Sequence, residues 1–268
     1  MWATSSEGAK RGDEVTKLEF VYLSDRGKVR QQNEDSVGVF ENKSGLLAIV
    51  ADGMGGHLAG EVASQMTIST FKKFWEEGPV INGPSDAENW LTEKVIEVNK
   101  AVYEHSLSHP ECQGMGTTIV TVLVTSTYAT IGHIGDSRCY LFNNSGFNQV
   151  TQDHSLVNEL VKYGQISKED AEHHPRKNVL IRSLGTEETV ELDVRTIELD
   201  DHDLLLLCSD GLSDKVSDEI LEKELVSANN LEQTANKLVQ LANDNGGEDN
   251  ISLIMIKKTA HELGEDSC

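Results

Sequence analysis

Three things are scarce in this sequence: aromatic residues, basic residues and long apolar runs. Phe, Trp and Tyr make up 5% of the 268 residues and hydrophobic residues 38%, so aliphatic side chains must form most of the core. No apolar run approaches the roughly 20 residues that a membrane-spanning helix needs. Residues 1–17 are polar and lack the apolar region of a signal peptide. We therefore expect a soluble protein.

Basic residues are outnumbered by acidic ones. Lys and Arg total 23 against 45 Asp and Glu, which gives a formal net charge of −22. A nucleic-acid-binding protein needs a cationic surface, and this chain has no basic stretch of any length. Anionic membranes are disfavoured for the same reason. We therefore expect neither a nucleic-acid partner nor a membrane partner, whereas basic segments of other proteins would be attracted.

Cysteines are few and irregularly placed. Their spacing does not match a metal site: Cys112, Cys139, Cys208 and Cys268. Cys139 and Cys208 lie in strand-like apolar runs and are most simply core residues. A disulfide framework is not indicated, which favours a reducing compartment and predicts a cytoplasmic location.

The apolar residues form short runs and helical stripes. The runs predict strands at 18–24, 36–40, 46–51, 117–125, 127–142, 194–199, 204–208 and 251–257, with a hairpin around Ser126. The stripes predict helices at 61–77, 218–226 and 231–243, and another opened by a capping box at 85–88. Strand pairs between helix pairs favour antiparallel sheets with helices outside, which is a layered α+β sandwich.

No tandem repeat or interdomain linker interrupts the pattern. One domain is therefore predicted over residues 18–258. The polar segment 151–185, called the flap below, is interpreted as an insertion over the surface. Residues 1–17 and 259–268 are predicted to be a flexible head and a flexible tail.

Acidic residues are concentrated at the boundaries of the predicted strands. The positions are Glu34, Asp35, Asp52, Asp210 and Asp249. A single Asp-Gly pair is also a common hairpin turn, so one such strand end has a structural explanation. Several carboxylates gathered at one edge would repel one another and require neutralisation. Hard divalent cations, which prefer oxygen ligands, would supply it.

Three further residues are candidates, each with an alternative. Gly53 opens a Gly-Met-Gly-Gly run and permits a close approach of its carbonyl to a cation, whereas a Walker loop would need Gly-Lys-Ser/Thr where this run ends in His57. Asp136 is either a fifth carboxylate or the ion-pair partner of Arg138. Arg30 is either a fork for a phosphate group or an ordinary surface arginine.

The chemistry follows from what this set of residues contains. Neither a Ser-His-Asp order nor an activated cysteine pattern is present, so attack by metal-bound water is the economical mechanism. Two cations about 3.5–4 Å apart can share a water and lower its pKa toward neutrality. The resulting hydroxide would attack phosphorus in line, while the cations and Arg30 balance the charge on the phosphoryl oxygens.

Six motifs in order resemble those of the metal-dependent protein phosphatases, the PPM or type 2C serine/threonine phosphatases, in their compact bacterial form. They are Arg30-Gln31-Gln32-Asn33-Glu34-Asp35, Ala51-Asp52-Gly53-Met54-Gly55-Gly56-His57, Gly116-Thr117-Thr118, Gly135-Asp136-Ser137-Arg138, Ser209-Asp210-Gly211-Leu212 and Gly246-Gly247-Glu248-Asp249-Asn250. The resemblance extends from about residue 18 to 257. Each motif alone is weak, but six in the family's order are specific.

The resemblance implies a four-layer α/β/β/α sandwich of two antiparallel sheets flanked by pairs of helices. It also implies two Mn²⁺ or Mg²⁺ ions surrounded by Asp35, Asp52, the Gly53 carbonyl, Asp210 and Asp249. By the same resemblance, Glu34 acts mostly through water, Asp136 and Asp210 hold a third, weaker ion, and Arg30 grips the phosphate. The flap then affects substrate choice.

One position departs from the family pattern. Eukaryotic members have a proposed general-acid histidine directly after the Asp-Gly, where this chain has Met54. His57 and a metal-bound water both stay open as the acid. We expect His57→Ala to reduce aryl phosphate turnover modestly, whereas Asp210→Asn or Asp249→Asn abolishes it. Equal losses in all three variants would contradict these roles.

Three functions compete at this stage. The first is hydrolysis of phosphoserine and phosphothreonine in proteins by a monomer that opposes a serine/threonine kinase. The second is a catalytically silent binding module, but such a module would be expected to lack a metal carboxylate and none is lacking. The third is a metal-dependent phosphodiesterase or nuclease, which the absence of a basic groove disfavours.

Overall fold

The computed structural model describes residues 4–5, 10–11, 14–15, 18–56 and 58–259. The strands are β1 Thr4–Ser5, β2 Lys10–Arg11, β3 Glu14–Val15, β4 Leu18–Asp25, β5 Asp35–Asn42, β6 Gly45–Met54, β7 Gly116–Thr117, β8 Ile119–Val124, β9 Tyr128–Ile134, β10 Arg138–Asn143, β11 Gly146–Gln149, β12 Asp193–Glu198, β13 Leu204–Cys208 and β14 Ile251–Lys258. The helices are α1 Ala59–Glu77, α2 Pro84–Ser108, α3 Leu156–Lys162, α4 Lys168–Glu172, α5 Asp210–Ser213, α6 Asp218–Val226 and α7 Leu231–Asp244, with a 3-10 turn at Pro110–Cys112.

Two antiparallel sheets form the centre of the molecule. The first sheet has the order β1-β4-β14-β13-β10-β11, and the second has the order β12-β9-β8-β6-β5 with β7 paired to β6. Within the described residues, β2 and β3 form a separate two-stranded sheet. The central strands of each sheet are continuous apolar runs because both of their faces are covered.

The alternation of β6 and β13 shows how the layers are built. Leu47 and Ile49 of β6 pack beneath the outer helices α1 and α2, while Leu46, Ala48 and Val50 face the other sheet. Likewise the even-numbered residues of β13, from Leu204 to Cys208, pack beneath α6 and α7. The odd-numbered residues, Leu205 and Leu207, face the second sheet. Successive strand residues point to opposite faces, so a run without polar residues fits between two apolar layers. The predicted four-layer α/β/β/α sandwich is confirmed.

Two local predictions were wrong. The segment 127–142 forms β9 and β10, which belong to different sheets, because Gly135 turns the chain between them at a φ of 110°. The predicted capping box at 85–88 does not form. Helix α2 begins one residue earlier at Pro84, and its N-cap Gly83 makes no side-chain cap. Proline suits the first position of a helix because it needs no N–H there.

The remaining segments match the predicted pattern in outline. The flap contains the short helices α3 and α4. Asn230, the N-cap of α7, accepts a hydrogen bond from the N–H of Gln233, whereas Ser217 precedes α6 and makes no side-chain cap. Most of the predicted flexible head and tail falls outside the described residues. Of the short strands described in the head, β1 pairs with β4. None of the described helices is long and apolar enough to cross a membrane.

Candidate metal centre

Asp35 and Asp52 lie opposite each other on neighbouring strands. Asp35 begins β5, and its Cα pairs with that of Asp52 on β6. The Asp35 side chain is buried, and its Oδ2 accepts a hydrogen bond of 2.8 Å from Ser209 Oγ. Thr118 holds the backbone of Asp52 at both ends: its Oγ1 accepts from the Asp52 N–H at 3.0 Å, and its N–H donates to the Asp52 carbonyl at 2.8 Å. Register therefore brings these two predicted carboxylates together.

Asp210 and Asp249 come from the first sheet. Asp210 follows β13 and begins α5, and Asp249 stands two residues before β14. A Cβ at Gly211 would lie 1.9 Å from the Asn250 carbonyl oxygen and 3.5 Å from Asp249 Cβ, so the two turns pack directly on each other. Since Ser209 also donates to Asp35, this point joins the two sheets.

The loop before β5 is fastened to the same place by one buried amide. Asn250 Oδ1 accepts from the N–H of Glu34 at 2.8 Å, and its Nδ2 donates to the carbonyls of Arg26 and Gln32, each at 2.9 Å. All the hydrogen-bonding groups of this side chain act on residues 26–34. The loop that carries Arg30 is thereby held beside Asp249.

Arg30 reaches into the cluster and pairs with one of its carboxylates. Its Nη2 lies 2.7 Å from Asp249 Oδ2, and its Nε donates to the Glu248 carbonyl at 3.3 Å. The side chain is 49% exposed, so its remaining donors face solvent at the edge of the site. Arg30 thus lies at the exposed edge of the acidic cluster, paired with Asp249.

Gly53 and Glu34 form the tightly packed side of the cluster. A Cβ at Gly53 would lie 2.1 Å from the Gly60 carbonyl oxygen and 2.6 Å from that of Glu34. The Gly53 N–H donates to the Glu34 carbonyl at 3.1 Å, and Ser64 Oγ donates to the same oxygen at 2.6 Å. No other residue fits at Gly53, because its Cα lies against the backbone of Gly60 and Glu34.

Asp136 lies in the turn between β9 and β10, beside Asp210. The predicted alternative, an ion pair with Arg138, is not what forms: Arg138 makes a two-pronged pair with Asp153, with Nη2 at 2.7 Å from Oδ2 and Nε at 3.1 Å from Oδ1. Burial raises the pKa of Asp136 to about 7, and the charge of Asp153 adds to the effect. Asp136 is therefore left available to a cation.

Burial and mutual repulsion raise the pKa of Asp35, Asp52 and Asp210. Burial raises the pKa of Asp35 to about 6. The pKa of Asp52 is raised well above its ordinary value by burial and then by the charges of Asp35 and Asp210. The pKa of Asp210 is raised in the same way, by burial and then by the charges of Asp136, Asp214 and Asp249. The charges that act on Asp35, Asp52 and Asp210 come from one another and from Asp136 and Asp249, so these carboxyls lie in one cluster.

Two of these carboxylates carry an unused acceptor. Asp35 Oδ1 and Asp210 Oδ1 are buried and have no hydrogen-bond partner. A buried carboxylate oxygen without a partner is costly unless a cation completes it. Across the described residues, no three His, Cys, Asp or Glu side chains already have the arrangement of a metal-binding group. Arg30 is paired with Oδ2 of Asp249, an oxygen that a metal-binding arrangement would use. The donor set of hard oxygens nonetheless fits Mn²⁺ or Mg²⁺.

Sequence reasoning missed the residues that fix these carboxylates in place. Ser209, Thr118 and Asn250 act through contacts to residues far away along the chain. Their only signal was that each stands within one of the six motifs of the family resemblance. The predicted acid candidate His57 falls outside the described residues.

Comparison with known proteins gives a consistent family. The model of the protein phosphatase 2C family matches residues 26–253. A serine/threonine phosphatase, stp, of Listeria monocytogenes is 43% identical over 247 residues, which cover 92% of this chain and 98% of the relative. The crystal structure of serine/threonine phosphatase Stp1 from Staphylococcus aureus superposes with a TM-score of 0.87 at 37% identity, covering 96% of this chain and 99% of that one.

A further structure contains metal. The catalytic domain of serine threonine protein phosphatase PstP, in complex with two manganese ions, has a TM-score of 0.80 and 36% identity, and the match covers 91% of this chain and 99% of that one. The fold and the acidic cluster define an antiparallel sandwich of the metal-dependent phosphatase type. This chain belongs to the protein phosphatase 2C family.

Proposed function

We propose that this chain hydrolyses phosphoserine and phosphothreonine in proteins and depends on bound Mn²⁺ or Mg²⁺. The observation that carries the proposal is the pair of buried, unpartnered oxygens, Asp35 Oδ1 and Asp210 Oδ1, within a cluster contributed by both sheets. The matched relatives are named serine/threonine phosphatases, and the PstP structure contains two manganese ions. These support the same reading.

We assign two roles to the site residues: ligands of the metal ions, and one residue that binds the phosphate. Asp35, Asp52, Asp210, Asp249 and the Gly53 carbonyl would hold two ions, Glu34 would act through water, and Asp136 with Asp210 would hold a third, weaker ion. When bound, such ions lower the pKa of a shared water and balance charge on the phosphoryl group.

Arg30 is already beside the site and would bind the phosphate. Its ion pair with Asp249 competes with any other use of that carboxylate. If Asp249 held a cation, Nη2 of Arg30 would be free, and its planar fork could bind two oxygens of a phosphate. As the site binds its ions and substrate, Asp249 would exchange Arg30 for a cation, and Arg30 would exchange Asp249 for the phosphate.

The proposal extends to the setting in which the protein works. Phosphorylated proteins would be its substrates, and a serine/threonine kinase that modifies the same proteins would be its natural counterpart. We place the protein in the cytoplasm, since Cys112, Cys139 and Cys208 are free and buried. We propose that it acts as a monomer.

The test measures hydrolysis of a phosphothreonine peptide, an aryl phosphate and a bis-aryl phosphate with Mn²⁺, with EDTA, and in two variants. We expect the first two substrates to turn over with Mn²⁺ and not with EDTA, and the diester to resist. Asp210→Asn and Asp249→Asn should lose more than about 1,000-fold in kcat/KM, because each removes an ion ligand. Unchanged hydrolysis in EDTA, or in either variant, would overturn the proposal.

A further inference from the structure

The first residues of the flap grip both sides of the Asp136 turn. On one side Asp153 binds Arg138, which follows the turn, through the two-pronged ion pair described above. On the other side His154 binds Gly135, which precedes it. Ser155 then caps α3, since its Oγ accepts the N–H of Asn158 at 3.3 Å. One tripeptide therefore connects a candidate metal ligand to the flap.

His154 makes the largest share of these contacts. Its N–H donates to the Gly135 carbonyl at 2.7 Å, and its ring Nδ1 accepts from the Gly135 N–H at 3.1 Å. Its own carbonyl accepts from the N–H of Ile181, at the far end of the flap, at 2.9 Å. The residue is 6% exposed. It therefore ties Gly135 to both ends of the flap.

These contacts fix the protonation of the ring. The N–H of Gly135 can only donate, so Nδ1 of His154 must be without a proton, and a neutral ring then carries its proton on Nε2. Nε2 lies 3.2 Å from Asp193 Oδ2, and its N–H donates a hydrogen bond to that oxygen. Arg182 holds the other oxygen of Asp193 at 2.7 Å. The imidazole is thus oriented from both of its nitrogens.

We propose that His154 is a positioning residue that holds the Asp136 turn and both ends of the flap in one orientation, so that Asp136 stays beside Asp210 and can share the weaker ion. This inference rests on the proposed function. It assigns to His154 no contact with substrate or with the ions that Asp35, Asp52 and Asp249 would hold.

A matched control is available at His133, on β9. His133 is 2% exposed, and its ring centroid lies 4.6 Å from that of His154. Neither of its ring nitrogens has a hydrogen-bond partner, in contrast to those of His154. Burial lowers its pKa to about 3, so it stays neutral. The same substitution at His133 therefore removes a buried imidazole from the same pair and leaves Nδ1 of His154 in place to accept from the Gly135 N–H.

The experiment uses Asn and Gln at both positions in the full-length protein. At position 154, the Asn oxygen can reach the place of Nδ1 and keep the Gly135 bond, whereas Gln places its amide nearer Nε2 and leaves the Gly135 N–H unpaired. Titration calorimetry with Mn²⁺ measures the tight and weak sites separately. We expect His154→Gln to weaken the weaker site about 10-fold, the usual scale for loss of a residue that orients a ligand. The tight sites should change less than about twofold.

His154→Asn, His133→Gln and His133→Asn should leave the weaker site within about twofold of the wild type. Hydrogen exchange should show faster exchange of the Gly135 and Ile181 amides in His154→Gln only. Equal weakening by His154→Gln and His133→Gln, or no weakening by either, would overturn the inference.

A measurement on the wild-type protein keeps the inference testable if a variant does not fold. Nitrogen-15 NMR of the histidine rings should show His154 protonated at Nε2 and bare at Nδ1. A proton on Nδ1 would overturn the inference, since that nitrogen could not accept from Gly135. Failure of the proposed function would instead appear in the wild type, as hydrolysis that does not depend on Mn²⁺.

Discussion

At the scale of single residues, Asn250 shows what holds the site together. Its amide satisfies two carbonyls and one N–H of the loop that carries Arg30. It is also 4% exposed, so water cannot replace these bonds. A buried polar group that loses its partners costs more than the bond itself was worth. The loop before β5 should therefore depend on this one side chain.

We predict that Asn250→Asp lowers the free energy of unfolding by about 3 kcal/mol or more, because two donors are replaced by an oxygen facing the carbonyls of Arg26 and Gln32. Activity should fall with it, as Arg30 loses its support. Urea denaturation with steady-state kinetics gives both quantities. The control is Asn245→Asp, whose exposed amide makes one bond of 2.7 Å, to the Lys215 carbonyl. Similar losses at the two positions would contradict this account.

At the scale of elements, the turn between β9 and β10 takes the chain from one sheet to the other. Gly135 has a φ of 110°, and a Cβ there would lie 2.6 Å from Thr118 Cγ2. Gly146, the first residue of β11, has a φ of 107° with nothing within 4 Å of its Cβ position. Both glycines have a positive φ, which would be strained for a residue with a side chain. They differ in how closely other atoms approach the Cβ position.

We therefore predict that Gly146→Ala lowers the free energy of unfolding by about 1–2 kcal/mol, the cost of a positive φ for a residue with a side chain. Gly135→Ala should cost at least about 2 kcal/mol more, because Thr118 must also move. Thermal denaturation of both variants measures the difference. Comparable losses would show that crowding at the Asp136 turn is unimportant.

The elements also show how far sequence patterns reach. β6 and β13 were predicted within a few residues, since an unbroken apolar run has few other structures available to it. The division of 127–142 between two sheets was not predicted, because sheet membership depends on partners elsewhere in the chain. The four aspartates followed from their strand ends and from the resemblance. Contacts such as those of His154 depend on three-dimensional closeness and have no local pattern.

At the scale of the whole molecule, the site carboxyls couple stability to pH. Without metal, the pKa of Asp35 is raised to about 6 and that of Asp136 to about 7, both chiefly by burial. An unfolded aspartate has a pKa of about 3.9, so the folded protein binds more protons between these values. Their stabilising contribution is fully present below about pH 4 and is lost as pH rises through 6 to 7.

We predict that stabilisation by Mn²⁺ grows as pH rises from about 5 to about 8, because the ion binds the carboxylates that deprotonation has left in repulsion. Differential scanning calorimetry with Mn²⁺ and with EDTA gives the difference in Tm at each pH. Asp210→Asn removes one of the charges and should show a smaller rise. A difference in Tm that stays constant across this range would contradict the coupling.

The position of β14 has a consequence for when such an enzyme can begin to work. The last strand of the described chain lies in the middle of the first sheet, between β4 and β13, with Asp249 just ahead of it. During synthesis on the ribosome, β4 and β13 must wait without their shared neighbour until residue 258 has been made. A partly made polypeptide thus has no completed centre, and any hydrolysis that depends on this centre can begin only after translation has passed the strand.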